Sequence, residues 1–316
     1  MAQKKTSKPD LIHTHRDTGV VASVRIGDCR EQLIKFQKVQ DHSVDLVFAD
    51  PPFNWARDYD RHETGNAWDD AAMSRKEYLD FTEQWLDLCA QSLSPTGSMW
   101  VNIPDDSAAE IVVHLKSIGL HMVNWCIWHY RFGQNTKGKF INSKVHALYF
   151  CKDPNNRTWN SDPILEESDR RAIYGDLRTE SKKDGMPAGM RVPMDVWYGP
   201  YWGRIQGNNK ERRAKHDNQL PELYLHRVIA CSSNPGDTVL DPFLGSGTTG
   251  VIAHAMRRHF IGTEYSRENA EMAFERIIAG PVRQLDVLRG ESTAIQKQRV
   301  KRRVPRKKQT HRPKPN

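Results

Sequence analysis

Apolar and polar positions alternate along the chain in blocks that predict strands and helices in turn. Val20–Gly27 predicts a strand that ends at Asp28, and a short helix follows over Arg30–Lys38. Ser43–Ala49 is apolar enough to predict a strand buried on both faces of a parallel sheet. The polar segment Asn54–Asp70 predicts a long loop, and loops of this length in compact domains are usually functional or disordered.

Two capping-box patterns predict helix starts, one formed by Ser74 with Glu77 and one by Ser107 with Glu110. The second of these helices is predicted to stop at Gly119. Further strands are predicted over residues 98–102, 122–130, 145–151, 238–240 and 259–263, and further helices over 223–232, over 267–278 and directly after residue 250. This alternation predicts an α/β fold with a largely parallel sheet.

Residues 152–209 lack this pattern and are rich in charge, glycine and proline. Aromatic residues that look exposed occur throughout the segment: Trp159, Tyr174, Trp197, Tyr198, Tyr201 and Trp202. We interpret the segment as a small subdomain inserted into the fold rather than as part of the sheet.

The composition narrows the class of protein. The chain has 316 residues, of which 38% are hydrophobic and 27% charged, and this excludes wholesale disorder, collagen and coiled coil. It has neither an apolar run of about eighteen residues nor an apolar leader after Met1, so we expect a cytoplasmic protein with no membrane partner. Its five cysteines form no C-x-x-C pair, which favours reduced thiols and predicts no metal site.

The net charge of +8 is concentrated at the two ends of the chain. Residues 290–316 carry ten Lys or Arg against one acid, Glu291, and the first nine residues carry three lysines. The body between these tails is therefore mildly acidic. Basic tails are typical of proteins that bind polyphosphates, although a tail that serves only solubility has the same composition.

A glycine-rich turn follows the predicted strand at 238–240. Gly245, Gly247 and Gly250 have the G-x-G-x-x-G spacing, and Glu264 ends the next predicted strand. Such glycines let the backbone approach a ligand closely, and the acid can bind ribose hydroxyls. The motif alone fits dinucleotide enzymes, S-adenosylmethionine enzymes, or a turn selected only for tight packing.

A second motif, Asp50-Pro51-Pro52-Phe53, follows the buried strand Ser43–Ala49. The prolines lack N–H donors and favour an extended turn, so the motif offers a carboxylate and carbonyl oxygens as acceptors. Acceptors alone suit an exocyclic amino group, which brings two N–H donors, and Phe53 offers an apolar face on which a base can stack. Taken without context, the same tetrapeptide also fits a rigid surface turn.

Together the two motifs resemble the signature of the DNA amino-methyltransferases, which make N6-methyladenine or N4-methylcytosine. That signature combines a (D/N/S)-P-P-(Y/F/W) tetrapeptide, here Asp50–Phe53, with an F-x-G-x-G loop, here Phe243–Gly247. The tetrapeptide comes first, which resembles the permuted order of the beta class. The resemblance covers roughly Val20–Ile278, and Leu225–Gly262 looks similar to the bacterial cell-cycle-type adenine methyltransferases.

The resemblance implies a Rossmann-like S-adenosylmethionine-dependent methyltransferase fold, circularly permuted in motif order, with an inserted target-recognition subdomain. It implies S-adenosylmethionine as cofactor, S-adenosylhomocysteine as product, and a cofactor site formed by Asp28, Asp241, Phe243, Gly245, Ser246, Gly247, Thr248 and Glu264. Asp28 matches the acid beside the cofactor adenine, and Glu264 matches the acid on its ribose. The implied domains are a basic tail (1–19), a catalytic half (20–151), a target-recognition insertion (152–209), a cofactor-binding half (210–280) and a second basic tail (281–316).

A further family segment, H-x-x-Q-K-P, matches the residues before the predicted helix at 223–232. Here it supplies His216, Asn218 and Gln219 as candidate contacts to the methionine part of the cofactor, while Leu220 replaces the usual lysine. The same polar residues would also serve as a simple helix cap before Pro221.

The resemblance implies that Asp50, Pro51, Pro52 and Phe53 are catalytic. The target would be an adenine flipped out of double-stranded DNA, with Asp50 and the Pro51 carbonyl accepting its N–H groups and Phe53 stacking on it. The loop aromatics Trp55, Tyr59 and Trp68 would close over the base. Candidate DNA contacts in the insertion are Arg170, Arg171, Arg178, Lys182, Lys183, Arg191 and Arg204. A cognate restriction endonuclease and a homodimer are further partners that the resemblance allows.

Three alternatives stay open at this point. A nicotinamide or flavin oxidoreductase explains the glycine loop and Glu264 but gives Asp50–Phe53 no role. A catalytically silent DNA regulator keeps the fold but has no need of an intact tetrapeptide. An N4-cytosine methyltransferase is the closest rival, and Asp50 favours adenine because the family's cytosine members more often have Ser at this position.

Overall fold

The computed structural model describes residues 9–37, 43–55, 73–130, 133, 135–176, 187–199, 202–205, 209–213 and 218–285. Its strands are β1 (Leu11–Thr14), β2 (Val21–Ile26), β3 (Val44–Ala49), β4 (Leu93–Ile103), β5 (His121–His129), β6 (Lys144–Cys151), β7 (Glu166–Glu167), β8 (Met190–Arg191), β9 (Val196–Trp197), β10 (Thr238–Asp241) and β11 (His259–Glu264). Its α-helices are α1 (Cys29–Gln37), α2 (Arg75–Ser92), α3 (Ala108–Ser117), α4 (Asp169–Tyr174), α5 (Glu222–Ser232), α6 (Thr248–Ala255) and α7 (Arg267–Ala279), and a 3₁₀ turn spans Asp162–Ile164.

The strands form a nine-stranded sheet in the order β1-β2-β11-β10-β3-β4-β6-β5-β9, beside a two-stranded sheet of β7 and β8. The five strands from β2 to β4 in this order are mutually parallel, whereas β6 runs antiparallel to both β4 and β5. Two strands from late in the chain, β10 and β11, lie between β2 and β3 from the first half. The structure therefore confirms the α/β fold with a largely parallel sheet.

The centre of the sheet is buried on both faces. On β3, Leu46 and Phe48 pack into a core that includes residues of α5, α6 and α7. Val44 and Val47 point the other way, into a core that includes residues of α1, α2 and α3. All four side chains are fully buried, which explains the continuous apolar pattern of this strand.

The two predicted helix caps have different outcomes. The Ser74 side chain accepts from the Glu77 amide and the Glu77 side chain accepts from the Ser74 amide, so this capping box is confirmed. Ser107 precedes α3 but makes no side-chain cap, so the second box is wrong. Its hydroxyl donates instead to the neighbouring Asp106 carboxylate, at 3.2 Å.

The interpretation of residues 152–209 as a subdomain apart from the sheet is wrong for β9, whereas β7 and β8 do form a sheet of their own. Strand β9 pairs in parallel with β5 and extends the main sheet at its edge. Trp197 and Trp202, which look exposed in the sequence, are only 5% and 2% exposed. They pack against Tyr224 of α5, at ring-centroid distances of 5.4 and 6.2 Å.

Both predicted tails are shorter than the sequence suggested. Strand β1 pairs antiparallel with β2, so the N-terminal tail does not extend to residue 19. At the other end, the backbone amides of Val282 and Arg283 donate to the carboxylate of buried Glu222, so residue 281 is not the start of the C-terminal tail. Residues 1–8 and 286–316 lie outside the described part of the chain.

All five cysteines are buried and unpaired, which fits the expectation of reduced thiols. Burial raises the pKa of Cys29 and of Cys126 to about 12, so neither is a thiolate nucleophile at neutral pH. No helix among the described residues is long and apolar enough to cross a membrane.

Candidate active site

The two sequence motifs lie side by side at one edge of the sheet. Strands β3 and β10 are parallel neighbours, with Val47 opposite Leu240. Their carboxyl ends therefore meet, which brings the Asp50 tetrapeptide next to Asp241 and the glycine loop. Clefts at the carboxyl ends of strands are the usual ligand sites of open α/β sheets.

Asp50 is held by a buried chain of hydrogen bonds. The Asn102 amide on β4 donates from Nδ2 to Asp50 Oδ1 at 3.0 Å, and the Tyr224 hydroxyl on α5 donates to Asn102 Oδ1 at 2.6 Å. We call Tyr224, Asn102 and Asp50 the Asp50 relay. Because Tyr224 occupies the amide oxygen, the amide nitrogen is the end that faces Asp50.

Asn102 and Tyr224 were missed by the sequence analysis, and both are fully buried. Burial raises the pKa of Tyr224 well above its usual value, and the nearby Asp50 charge adds to this, so the hydroxyl remains a donor. The available signal was a single asparagine inside the apolar strand β4, since a buried amide requires hydrogen-bond partners.

The rest of the tetrapeptide does not offer all its acceptors to a ligand. The Pro52 carbonyl accepts the Tyr78 hydroxyl at 3.0 Å, so one of its two lone pairs is already used within the protein. Phe53 is half-buried and meets Trp55 edge to face, with ring centroids 5.2 Å apart. Asn54 between them has a φ of +51°, which turns the chain so that these two aromatic rings meet. Tyr59 and Trp68 lie outside the described residues.

The three glycines of the loop have different roles. Gly247 has a φ of +77°, and a Cβ there would lie 2.9 Å from the Ala273 Cβ on α7. A Cβ on Gly250 would lie 2.5 Å from the Ile277 Cδ1, so both positions require glycine for packing. Gly245 also has a positive φ, of +48°, but a Cβ there would meet only the Phe243 carbonyl oxygen at 3.8 Å. Gly245 is therefore the position where a ligand can approach the backbone.

Two carboxylates border this loop. Glu264 accepts from the Gly245 amide at 2.9 Å and the Ser266 amide at 3.1 Å, while burial raises its pKa. Burial raises the pKa of Asp241 to about 7 against a hydrogen bond from the Phe243 amide, and the charges of Asp50 and Glu264 add to the rise. A cationic ligand with hydroxyl groups would offset this concentration of negative charge, as S-adenosylmethionine does.

Asp28, the predicted partner of the cofactor adenine, is bound to Arg30. The Arg30 guanidinium donates to both Asp28 oxygens, at 3.0 and 2.6 Å. Burial opposes ionisation, but these bonds lower the pKa of Asp28 overall. Arg30 also lies 4.9 Å over the Phe81 ring, which in turn meets the predicted cofactor residue Phe243 at 6.3 Å. Asp28 and Phe243 thus lie at two ends of one chain of contacts.

Ser246 and Thr248 are engaged by a buried ion pair. Arg276 donates to the Ser246 carbonyl at 2.9 Å and to the Thr248 hydroxyl at 2.8 Å, and it pairs with Glu222 at 3.3 Å. The Thr248 hydroxyl also donates to the Leu220 carbonyl, at 3.3 Å. These contacts fix the conformation of the glycine loop.

The segment before α5 is only partly available to a cofactor. Gln219 is buried, and its amide bonds the Glu211 carbonyl at 2.5 Å and the Arg213 amide at 3.0 Å. Its functional groups therefore hold the protein backbone rather than cap helix α5. Asn218 is exposed and accepts from Arg204 at 3.4 Å, and His216 lies outside the described residues.

The described basic residues of the insertion differ in their surroundings. Arg191 pairs with Glu166 and Asp169, both at 3.1 Å, and holds the small β7–β8 sheet in place. Arg204 lies 4.2 Å over the Tyr130 ring at the end of β5, whereas Arg170 is exposed. The side chains of Arg171, Arg178, Lys182 and Lys183 lie outside the described part of the structure.

Comparison with known proteins gives a consistent family. The sequence profile of the N6/N4 "DNA methylase" family matches residues 44–275. The chain is 28% identical to Type II methyltransferase M.HpaI of Haemophilus parainfluenzae, over 79% of this chain and 73% of that protein. It is 30% identical to M1.MboII of Moraxella bovis, over 75% of this chain and 90% of that protein. It is 33% identical to M.BamHI of Bacillus amyloliquefaciens, over 79% of this chain but only 56% of that protein. The closer likeness to cell-cycle-type enzymes stays a prediction.

Solved structures share the fold. The chain aligns with the M1.HpyAVI–SAM complex at a TM-score of 0.55 and 20% identity, over 81% of this chain and 98% of that one. It aligns with the cytosine-N4-specific PvuII DNA methyltransferase at a TM-score of 0.59 and 17% identity, over 87% and 93%. These likenesses confirm the Rossmann-like methyltransferase fold. With the profile match over most of the chain, they lead to one assignment: this protein belongs to the N6/N4 DNA methylase family.

Proposed function

We propose that this protein transfers a methyl group from S-adenosylmethionine to the exocyclic N6 of an adenine in double-stranded DNA. The observation that carries the proposal is the position of Asp50. Asp50 follows the end of β3, and its carboxylate accepts a hydrogen bond from Asn102 on β4. Strand β3 is the direct neighbour of β10, the strand that leads into the glycine loop. An acceptor for an amino group and a cradle for an adenosyl ligand thus share one edge of the sheet.

The cofactor site is assigned to the residues around the glycine loop. Gly245 allows close approach, Glu264 would accept from the ribose hydroxyls, and Asp28 and Phe243 would border the adenine. Bound S-adenosylmethionine supplies a methyl group on a positively charged sulfur, and this group carries the intrinsic reactivity. Asp241 and its neighbouring carboxylates give the edge a negative potential that complements this charge.

The chemical task of the protein is to position a weak nucleophile. The lone pair of an exocyclic amine is delocalised into the ring, so the nitrogen must become more tetrahedral as it attacks. A carboxylate has several lone-pair sites, so Asp50 can accept an amine N–H while it also accepts from Asn102. We assign Asp50 and the Pro51 carbonyl to hold the amine in direct transfer without a covalent enzyme intermediate, and Asp50 to accept or relay the proton.

A base within a duplex cannot bring its amine to this site, so the proposal includes flipping of the target base. Phe53, half-buried beside Trp55, is the ring on which the flipped base would stack. Adenine is favoured over cytosine by the aspartate at the first tetrapeptide position. A cognate restriction endonuclease and a homodimer are consistent with the proposal but are not needed for it.

Nucleoside mass spectrometry of unmethylated DNA, incubated with the protein and S-adenosylmethionine, tests this proposal. The expected product is N6-methyladenine. N4-methylcytosine would preserve the mechanism and overturn the assignment of the base. An absence of both products on several DNA substrates would contradict methyl transfer to DNA and favour the silent-regulator alternative.

A further inference from the structure

The turn between β5 and β6 lies on the same edge of the sheet as the candidate active site. Strand β6 is antiparallel to both β4 and β5, so β5 runs in the same direction as β4 and ends at the same edge. We call the described residues that connect the two strands (130, 133 and 135–143) the β5–β6 hairpin. Its position predicts that a duplex seated over Asp50 also meets this hairpin.

Direct contacts connect the hairpin to the tetrapeptide. Lys144 at the base of the hairpin forms an ion pair with Asp105, which follows β4. The next residue, Asp106, accepts from the Trp55 indole nitrogen at 3.3 Å, and Trp55 meets Phe53. The base of the hairpin is therefore joined to the ring that we assign to the flipped base.

The described residues of the hairpin have a defined conformation. The Tyr130 amide donates to the Ser143 carbonyl at 3.0 Å, which closes the hairpin at its base. A Cβ on Gly133 would lie 2.3 Å from Ile141 Cγ2 and 2.6 Å from the Asn142 carbonyl oxygen, so the returning strand approaches closely there. Residues 137–140 of the turn are all exposed.

Phe140 lies at the end of this turn and is 96% exposed. Its neighbours Lys137 and Lys139 are also exposed, so the turn presents an apolar ring close in sequence to two cations. Ile141, the next residue, is 46% exposed and extends this apolar tip, and the two lysines argue against an apolar protein partner. An apolar tip with nearby cations fits a duplex, since phosphates attract the lysines and a ring can enter between bases.

We propose that Phe140 inserts into the base stack beside the target adenine and fills the space that the flipped base leaves. Lys137 and Lys139 contact the flanking phosphates and hold the hairpin against the duplex. This inference rests on the proposed function and adds to it the residue that opens the duplex. Insertion offsets the lost pairing and stacking of the target base, so its benefit is largest when the target is both paired and stacked.

The test compares two duplexes that differ only in the base opposite the target. The wild-type site is first mapped on unmethylated plasmid DNA, and kcat/KM is then measured on a matched duplex and on one with an abasic position opposite the target adenine. Flipping costs a few kcal/mol, so Phe140→Ala should lower kcat/KM about tenfold or more on the matched duplex. On the duplex with the unpaired target only stacking remains to be broken, so Phe140→Ala should lower kcat/KM by a clearly smaller factor there.

Three control variants make the comparison specific. Phe140→Trp should retain activity on both duplexes, and Val113→Ala, which trims another exposed apolar side chain on α3, should change neither. Lys137→Ala should weaken binding to both duplexes equally and reduce the salt dependence of that binding. The inference is overturned if Phe140→Ala has no effect, or reduces activity equally on both duplexes, while the wild type is active. A wild type that methylates no DNA would overturn the proposed function as well.

Discussion

The Asp50 relay gives a prediction whose size follows from its hydrogen bonds. Tyr224→Phe removes one hydroxyl and leaves the buried Asn102 oxygen without its donor at 2.6 Å. An unsatisfied buried acceptor lowers the free energy of unfolding by about 1–3 kcal/mol. Asn102→Ala removes the donor to Asp50 itself, and a hydrogen bond to a charged group contributes about 1.5–3 kcal/mol. If that bond orients Asp50 in the transition state, kcat for methyl transfer should fall about 10- to 100-fold.

A double-mutant cycle on single-turnover methyl transfer distinguishes positioning from general destabilisation. The hydrogen bonds of Tyr224 reach Asp50 through Asn102, so Tyr224→Phe should lower the rate in the wild-type background and have a much smaller effect in the Asn102→Ala background. The cofactor affinity should stay unchanged in every variant. These assays are run below the unfolding temperature of the least stable variant.

Ser232→Ala is the matched control for this cycle. Ser232 accepts from the Trp100 indole nitrogen at 2.9 Å, so this variant breaks a buried hydrogen bond between the same two elements, β4 and α5. It should lower stability by a similar amount and leave the methyl-transfer rate intact. Additive effects of the Tyr224 and Asn102 substitutions, or an equal rate loss in Ser232→Ala, would refute the relay.

Further predictions concern Asp241, the glycine loop and the C-terminal tail. The pKa of Asp241 is about 7 in the folded protein, against an ordinary value of 3.8. Between these two pH values the folded state holds a proton that the unfolded chain has lost, so the free energy of unfolding falls as pH rises. Asp241→Asn should therefore raise the free energy of unfolding by at most ~4 kcal/mol at pH 8, and by less at pH 5, in urea titrations; an equal gain at both would contradict this. Gly247→Ala should lower the free energy of unfolding by about 2 kcal/mol or more, and calorimetry should detect no cofactor binding. Gly236→Ala is the control, because Gly236 has a φ of +91° but no atom within 4 Å of an added Cβ, and it should lower the free energy of unfolding by less. Truncation after Gly290 should weaken DNA binding. If about five tail charges neutralise phosphates, the negative slope of log K against log salt should be shallower by about 4 to 5 in the truncated protein than in the full chain. An unchanged slope would exclude the tail as an electrostatic anchor.

Strands with strong local patterns were predictable from the sequence. Strand β3 is buried on both faces and therefore apolar along its length, and β10 ends in an acid followed by glycines, so both motifs were placed correctly on strand ends. Parallel strands place their carboxyl ends at one edge, so both motifs were expected at the same edge, but the direct pairing of β3 with β10 was not predicted. These local signals are sufficient to identify the fold.

Features that depend on distant contacts were not predictable. Asn102 and Tyr224 are 122 residues apart, and each is unremarkable in its own segment until α5 packs against β4. Trp197 and Trp202 lie among glycines and prolines and look exposed, but the pairing of β9 with β5 buries them. Gln219 resembled a ligand contact, whereas the fold uses its amide to hold residues 211–213.

Methyl transfer by Asp50→Ala, measured beside cofactor binding, tests the central claim most directly. Asp45→Ala is the control, because Asp45 lies on the same strand and accepts from the Ser94 hydroxyl and the Thr238 amide, away from the tetrapeptide. We predict that Asp50→Ala still binds S-adenosylmethionine but forms no methylated base, whereas Asp45→Ala remains active. Methylation at the wild-type rate by a folded Asp50→Ala protein would contradict the assignment of this carboxylate to the reacting amine.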